Sequence, residues 1–138
     1  MRRFTFLCLT FAASAMILHP GAASAQKGKP IRVGAVFAVT GPASWLGEPE
    51  KKTAVMIVDQ INEAGGVNGR PVELIVKDTQ GDGTRAVNAV RELLRQRVVA
   101  IIGPSRSGTS MAVAPLCEDA RVPLISCAAL EEIVKDRK

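Results

Sequence analysis

Four short, almost uninterrupted apolar runs constrain this chain more than any other feature: Ile31–Val39, Val72–Lys77, Val98–Ile102 and Val122–Ser126. Strands with one wet face alternate apolar and polar residues; strands that are apolar at successive positions are buried on both faces, as in parallel sheets. The segments between the runs have helical spacing. Ala54, Val55, Ile57, Val58 and Ile61 share a stripe within Glu48–Ala64, and Ala86, Val87, Val90, Leu93 and Leu94 share another after Thr84. Ser107–Ala120 reads as a third helix despite Pro115 in its interior. Thr40-Gly41-Pro42, Gly65-Gly66, Asn68-Gly69 and Gly103-Pro104 punctuate the order. The expected succession is β-α-β-α-β-α-β. The fold class is α/β, a parallel sheet with right-handed crossovers and helices on both faces. Glu131–Lys138, a charged stretch, is expected to be helical.

The first 25 residues do not belong to that pattern. Arg2 and Arg3 precede the apolar Phe4–Leu18, Pro20-Gly21 follow, and Ala23-Ser24-Ala25 sets small residues before Gln26. These are the three regions of a secretory signal peptide, with cleavage expected between Ala25 and Gln26. An uncleaved anchor would need about 20 apolar residues. Cys8 lies too early to be a lipid-attachment site. The expected organisation is therefore a signal peptide over 1–25 and one α/β domain over 26–138, exported to the periplasm. Cleavage takes away Arg2 and Arg3 and no acid, so the formal charge of +5 falls to +3. The remaining basic residues are scattered, and the chain has one Trp and no Tyr. Both observations argue against nucleic acid as a partner. His19, the only histidine, leaves with the leader; Cys117 and Cys127 remain and read as two buried thiols.

In open parallel sheets ligands bind beyond the carboxyl ends of the strands. The loops to inspect are Thr40–Gly47, Asp78–Gly83, Gly103–Thr109 and Ser126–Leu130. Gly103–Ser110 has the glycine spacing of a phosphate-binding loop, but Thr109 stands where the lysine belongs, which argues against ATP chemistry. What survives is a loop feeding a helix N-terminus, with Ser105, Ser107 and Thr109 as hydroxyl donors, suited to a single anion such as a carboxylate. The alternative is that Ser105 or Ser107 merely caps the helix. Asp78–Gly83 imitates the start of a calcium loop, but the acid required at its twelfth position falls on Ala89, so it reads as a polar turn. Glu48, Glu50, Asp59 and Glu63, with Lys51 and Lys52, read as a solvated helix face. Trp45 and Leu46 are placed on a ligand-side loop, as core plug or pocket wall. No catalytic residues, metal site or cofactor are expected, and the chain is not read as an enzyme. A flavodoxin-like enzyme or nucleotide binder fits poorly with the missing lysine and the leader.

Four motifs in order carry a resemblance: the run from Ile31 through Thr40-Gly41-Pro42, Asp59–Gly69, Ala100–Pro104 with its Ser/Thr loop, and Val122–Ser126. They resemble the periplasmic branched-chain amino-acid-binding proteins, the type I substrate-binding proteins of ABC importers. The resemblance implies a ligand held between two α/β lobes, of which residues 26–138 are the N-terminal lobe, incomplete. It implies that Ser107 receives the ligand carboxylate and that the Ala128 carbonyl receives the ammonium. Leu130 stands where the family usually has Thr or Ser, and offers only its backbone N–H. Leu46 would cover the ligand side chain, beside Trp45, with Thr109 near the carboxylate. The disulfide of some members would join positions occupied here by Gln80 and Arg106. The implied function is that of a solute-binding component, usually monomeric, capturing a branched-chain or other apolar amino acid or a related carboxylate for a membrane permease. The alternative is an extracytoplasmic ligand-sensing domain of the same fold. The single lobe is expected to bind weakly and to aggregate.

Overall fold

The computed structural model describes residues 28–135; the expected leader and its cleavage site, Cys8, His19 and residues 136–138 lie outside them. The elements are β1 (Ile31–Phe37), α1 (Ser44–Glu63), β2 (Val72–Asp78), α2 (Gly83–Arg95), β3 (Ala100–Ile102), α3 (Ser107–Asp119), β4 (Leu124–Ile125) and a 3₁₀ turn, Glu131–Ile133. The four strands form one sheet in the order β2-β1-β3-β4. All three pairings are parallel, with Val33 opposite both Leu74 and Ala100.

Strand order dictates where the helices lie. The chain steps from β1 to β2 in one direction, then from β2 over β1 to β3 and on to β4 in the other. Right-handed crossovers therefore place α1 on one face and α2 with α3 on the opposite face. The buried cluster of Val36, Val90, Leu93, Ile101, Val113 and Cys117 fills the α2–α3 face. Gly34 makes that packing possible: a Cβ there would stand 2.8 Å from Leu93 Cδ1. On the other face Ala35 and Phe37 are buried. The carboxyl ends of β1 and β3, adjacent strands whose following helices leave on opposite faces, form the switch point where ligands bind in such sheets.

Several expectations need correction. Helix α1 opens at Ser44, not Glu48, so Trp45 and Leu46 lie in its first turn rather than in a loop. Ser44 N bonds Gly41 O, and the N–H groups of Leu46 and Gly47 both reach Ala43 O, which winds the turn before Pro49. Strand β1 stops at Phe37 because Val39 N and Thr40 N turn to the Asp78 carboxylate. Within the described residues, the helix expected from Glu131 is one 3₁₀ turn. Of the two cysteines, Cys117 is buried but Cys127 is exposed, because it follows the short edge strand β4. Pro115 is accommodated on the exposed side of α3. Among the described residues no helix is long and apolar enough to cross a membrane.

Candidate functional site

Four loops leave the carboxyl ends of the strands, and hydrogen bonds tie them together. The β3–α3 loop and the segment after β4 are joined by Gly103 N to Ile125 O at 2.9 Å and Cys127 N to Pro104 O at 3.3 Å. Ser126 Oγ lies 2.8 Å from Ser110 Oγ and accepts the Ala128 N–H at 3.1 Å. Gly103, at φ 92°, lets the loop turn against β1: a Cβ there would lie 2.2 Å from Val36 O.

The β1–α1 and β2–α2 loops are held by Asp78. Its Oδ1 accepts from Val39 N, Thr40 N and Gln80 N at 3.0, 3.3 and 2.9 Å, and its Oδ2 from the Thr40 hydroxyl at 2.5 Å. Partial burial pushes its pKa up, but the bonds from Thr40, Gln80 and Val39 outweigh that and hold the carboxyl below its usual range. Asp82 caps α2 by accepting Arg85 N at 2.7 Å. Both acids of the calcium-like stretch are thus engaged in turn and cap. Among the described residues no group of three or more His, Cys, Asp or Glu is placed to hold a metal ion. The Gln80 and Arg106 loops also touch, through Arg106 Nη1 to Gly81 O at 3.4 Å.

Helix α3 begins at Ser107, and its first helical bond runs from Ser110 N to Arg106 O. Arg106 is the N-cap, with no side-chain bond to the helix N–H groups, so neither Ser105 nor Ser107 serves as cap. The N-terminal turn of a helix presents N–H groups lacking intrahelical partners, which favours an anion. Ser107 is half-buried at this end. Thr109 is buried, and its hydroxyl donates back to Arg106 O at 2.8 Å. Ala128 is half-buried, and Leu130 is exposed in the segment after β4. Leu46 is half-buried in the first turn of α1, whereas Trp45 is 72% exposed. The strand-end bonds bring the Ser107 and Ala128 segments to one end of the sheet. Surface concavities lie along α1 at Lys52, Val55 and Met56, beneath α3 and β4 at Cys117, Arg121 and Ile133, and between β2 and α2 at Lys77, Asp78 and Glu92. None of these includes Ser107, Ala128 or Leu130.

Glu50 is the residue that sequence reasoning missed. It is not part of a solvated face: Ser105 Oγ donates to its Oε2 while accepting Ala38 N at 3.0 Å. Burial raises the Glu50 pKa, and the Ser105 bond only partly offsets this. Although Cys127 as a residue is exposed, its thiol is partly shielded by its neighbours, and that partial desolvation raises it first and the Glu50 charge second, with a bond to the Gly103 backbone pulling the other way. The signal was present in the spacing, since Glu50, Ala54, Val58 and Ile61, at successive steps of four, four and three, share one helical face, and all four are half-buried.

Comparison with known proteins bears on this strand-end arrangement. The family described as periplasmic binding protein has a sequence profile that matches residues 30–137. The Leu/Ile/Val-binding protein homolog 7 of Brucella abortus is 31% identical over 127 residues, 91% of this chain and 31% of that protein. The leucine-, isoleucine-, valine-, threonine-, and alanine-binding protein of Pseudomonas aeruginosa is 27% identical over 124 residues, 90% of this chain and 33% of that protein. Among solved structures, the branched-chain amino acid transporter substrate binding protein LivJ from Streptococcus pneumoniae, in complex with isoleucine, superposes with a TM-score of 0.76. It is 33% identical, and the match covers 78% of this chain and 32% of that one. The chain spans about a third of the length of these relatives.

Proposed function

We propose a function from one premise, that this chain belongs to the periplasmic binding protein family, whose profile matches residues 30–137. It is an α/β portion of a type I periplasmic binding protein of the branched-chain amino-acid-binding kind. In the proposed reading it contributes one wall of a ligand cleft in the solute-binding component of an ABC importer. The cargo is a branched-chain or other apolar amino acid, or a related carboxylate. Capture takes place in the periplasm, the two lobes close on the ligand, and a membrane permease receives it. The wall acts by binding and carries out no chemical step.

One observation supports this reading: Ser110 Oγ in the first turn of α3 pairs with Ser126 Oγ just after β4, and Cys127 N bonds Pro104 O, so the β3–α3 loop and the segment leading to Ala128 are fastened together at the carboxyl end of the sheet. There the α3 N–H groups and the Ser107 hydroxyl receive the carboxylate, and the Ala128 carbonyl receives the ammonium. Leu130 contributes a backbone N–H, Leu46 lies against the ligand side chain with Trp45 at the rim, and Thr109 holds the turn in shape. A ligand seated on one wall keeps its other face in water, so the affinity of this chain is low.

Titration of the chain with L-isoleucine, L-leucine, L-valine and benzoate, followed by amide chemical shifts, tests the reading. Saturable shifts centred on Ser107–Thr109 and Ala128 are expected. Ser107→Ala should weaken them by about 1.5–3 kcal/mol, the loss of a charge-assisted bond. Shifts absent at Ser107 for every probe would overturn it.

A further inference from the structure

Two elements, α1 and the β3–α3 loop, converge on Ala38, the residue that follows β1. Helix α1 presses on it through Gly47, where a Cβ would lie 2.3 Å from the Ala38 carbonyl carbon and oxygen. The β3–α3 loop reaches it through Ser105, whose Oγ accepts the Ala38 N–H at 3.0 Å. Helix α1 returns through Glu50, which accepts the Ser105 hydroxyl proton. One hydroxyl thus spends its donor on α1 and an acceptor lone pair on β1. Ser105 is buried at 4% exposure, so losing either partner would leave a polar group without compensation. Two residues beyond Ser105 the chain opens α3 at Ser107.

We infer that Glu50 and Ser105 are positioning residues, a strut between α1 and the β3–α3 loop that holds the N-terminal turn of α3 in place for an anionic ligand. The inference rests on the proposed function only for the identity of that ligand. The strut acts through Ser107 and the α3 backbone and does not touch the ligand. It also couples the wall at Leu46 to the turn at Ser107, because both are carried by elements fastened at Ala38.

Amide hydrogen exchange and L-isoleucine titration of the 138-residue chain test this together. Ser105→Ala should speed exchange at Ala38, Ser110 and Cys127 by about tenfold relative to Val90 in α2, the equivalent of one lost hydrogen bond to a charged group. It should also weaken isoleucine shifts at Ser107 by a similar factor. Ser105→Thr, which keeps the hydroxyl, should restore both. Glu50→Gln keeps an acceptor without the charge and should give an intermediate effect, and it serves if Ser105→Ala fails to fold. Faster exchange at Ala38 alone, with Ser110 and Cys127 unchanged, would overturn the strut. So would a Ser105→Thr variant that behaves like Ser105→Ala. If the unsubstituted chain shows no shifts at Ser107 with L-isoleucine, L-leucine, L-valine or benzoate, the proposed function falls and the exchange pattern still decides the strut.

Discussion

Ser110 Oγ and Ser126 Oγ lie 2.8 Å apart, fastening the first turn of α3 to the residue that follows β4. Ser110 is fully buried, and Ser126 also accepts the Ala128 N–H. Two segments at the carboxyl end of the sheet, one opening α3 and one following β4, therefore share one hydroxyl pair. Ser126→Ala removes both bonds, leaves the Ser110 hydroxyl its 3.4 Å bond to Pro104 O, and should cost about 0.5–1.5 kcal/mol, the range for a typical intramolecular hydrogen bond. Urea unfolding measures it, and an unchanged midpoint would show that the pair holds nothing.

Gly47→Ala should be the more damaging of two glycine substitutions. Its Cβ would meet the Ala38 backbone, which cannot move without disturbing the end of β1. Overpacking of this kind costs about 1–3 kcal/mol, and more when the obstacle is backbone. Gly83→Ala, at the first residue of α2 with nothing within 4 Å, should be neutral or stabilising. Denaturant midpoints of the two variants should move apart; equal midpoints would refute the contact at Ala38.

Asp78 makes stability depend on pH. Its carboxyl is held below the unfolded value, so the folded state binds its proton less readily than the unfolded state does. Its contribution is fully present above the unfolded pKa, about 3.9 for aspartate, and is lost as pH falls through the lower folded value. The urea midpoint of Asp78→Asn should fall below that of the unsubstituted chain at neutral pH and converge on it in acid. A gap that stays constant with pH would exclude the carboxylate as its source.

Cys127 should report the charge of Glu50. That charge raises the thiol, so Glu50→Gln should increase the thiolate fraction and speed alkylation of Cys127 by iodoacetamide at a fixed pH. Cys117, buried and pushed up to about 11, should stay unmodified in the folded protein. Peptide mapping by mass spectrometry separates the two. An unchanged rate at Cys127 would place Glu50 too far away to act on it.

Strand β4 is an edge of the sheet, and its Ile125 is 59% exposed. An exposed apolar edge recruits other chains. The chain should self-associate as concentration rises, and Ile125→Lys should raise the monomer fraction in size-exclusion chromatography. Identical elution profiles would exonerate this edge.

The chain's own sequence determined the class of fold and the order of its elements. Apolar runs at successive positions demand a sheet covered on both faces, and helical stripes between them demand crossovers, whatever the details. It also placed Ser107 at the start of a helix, because Gly103-Pro104 closes a strand just before an apolar helical segment. Tertiary structure decided the rest. Helix α1 begins four residues earlier than its apolar stripe indicates, because the Leu46 and Gly47 N–H groups close the turn on Ala43 O and only a glycine at 47 lets that turn pack against Ala38. Cys127 is exposed because β4 is two residues long and lies at the edge, a fact of strand order that no local pattern contains. Glu50 belongs to the strand-end network because Ser105, 55 positions away, is folded against it. A carboxylate on a helical stripe can face water or a buried hydroxyl. Only the packing of α1 against the β3–α3 loop selects between them, since burying a carboxylate is tolerated where a donor awaits it.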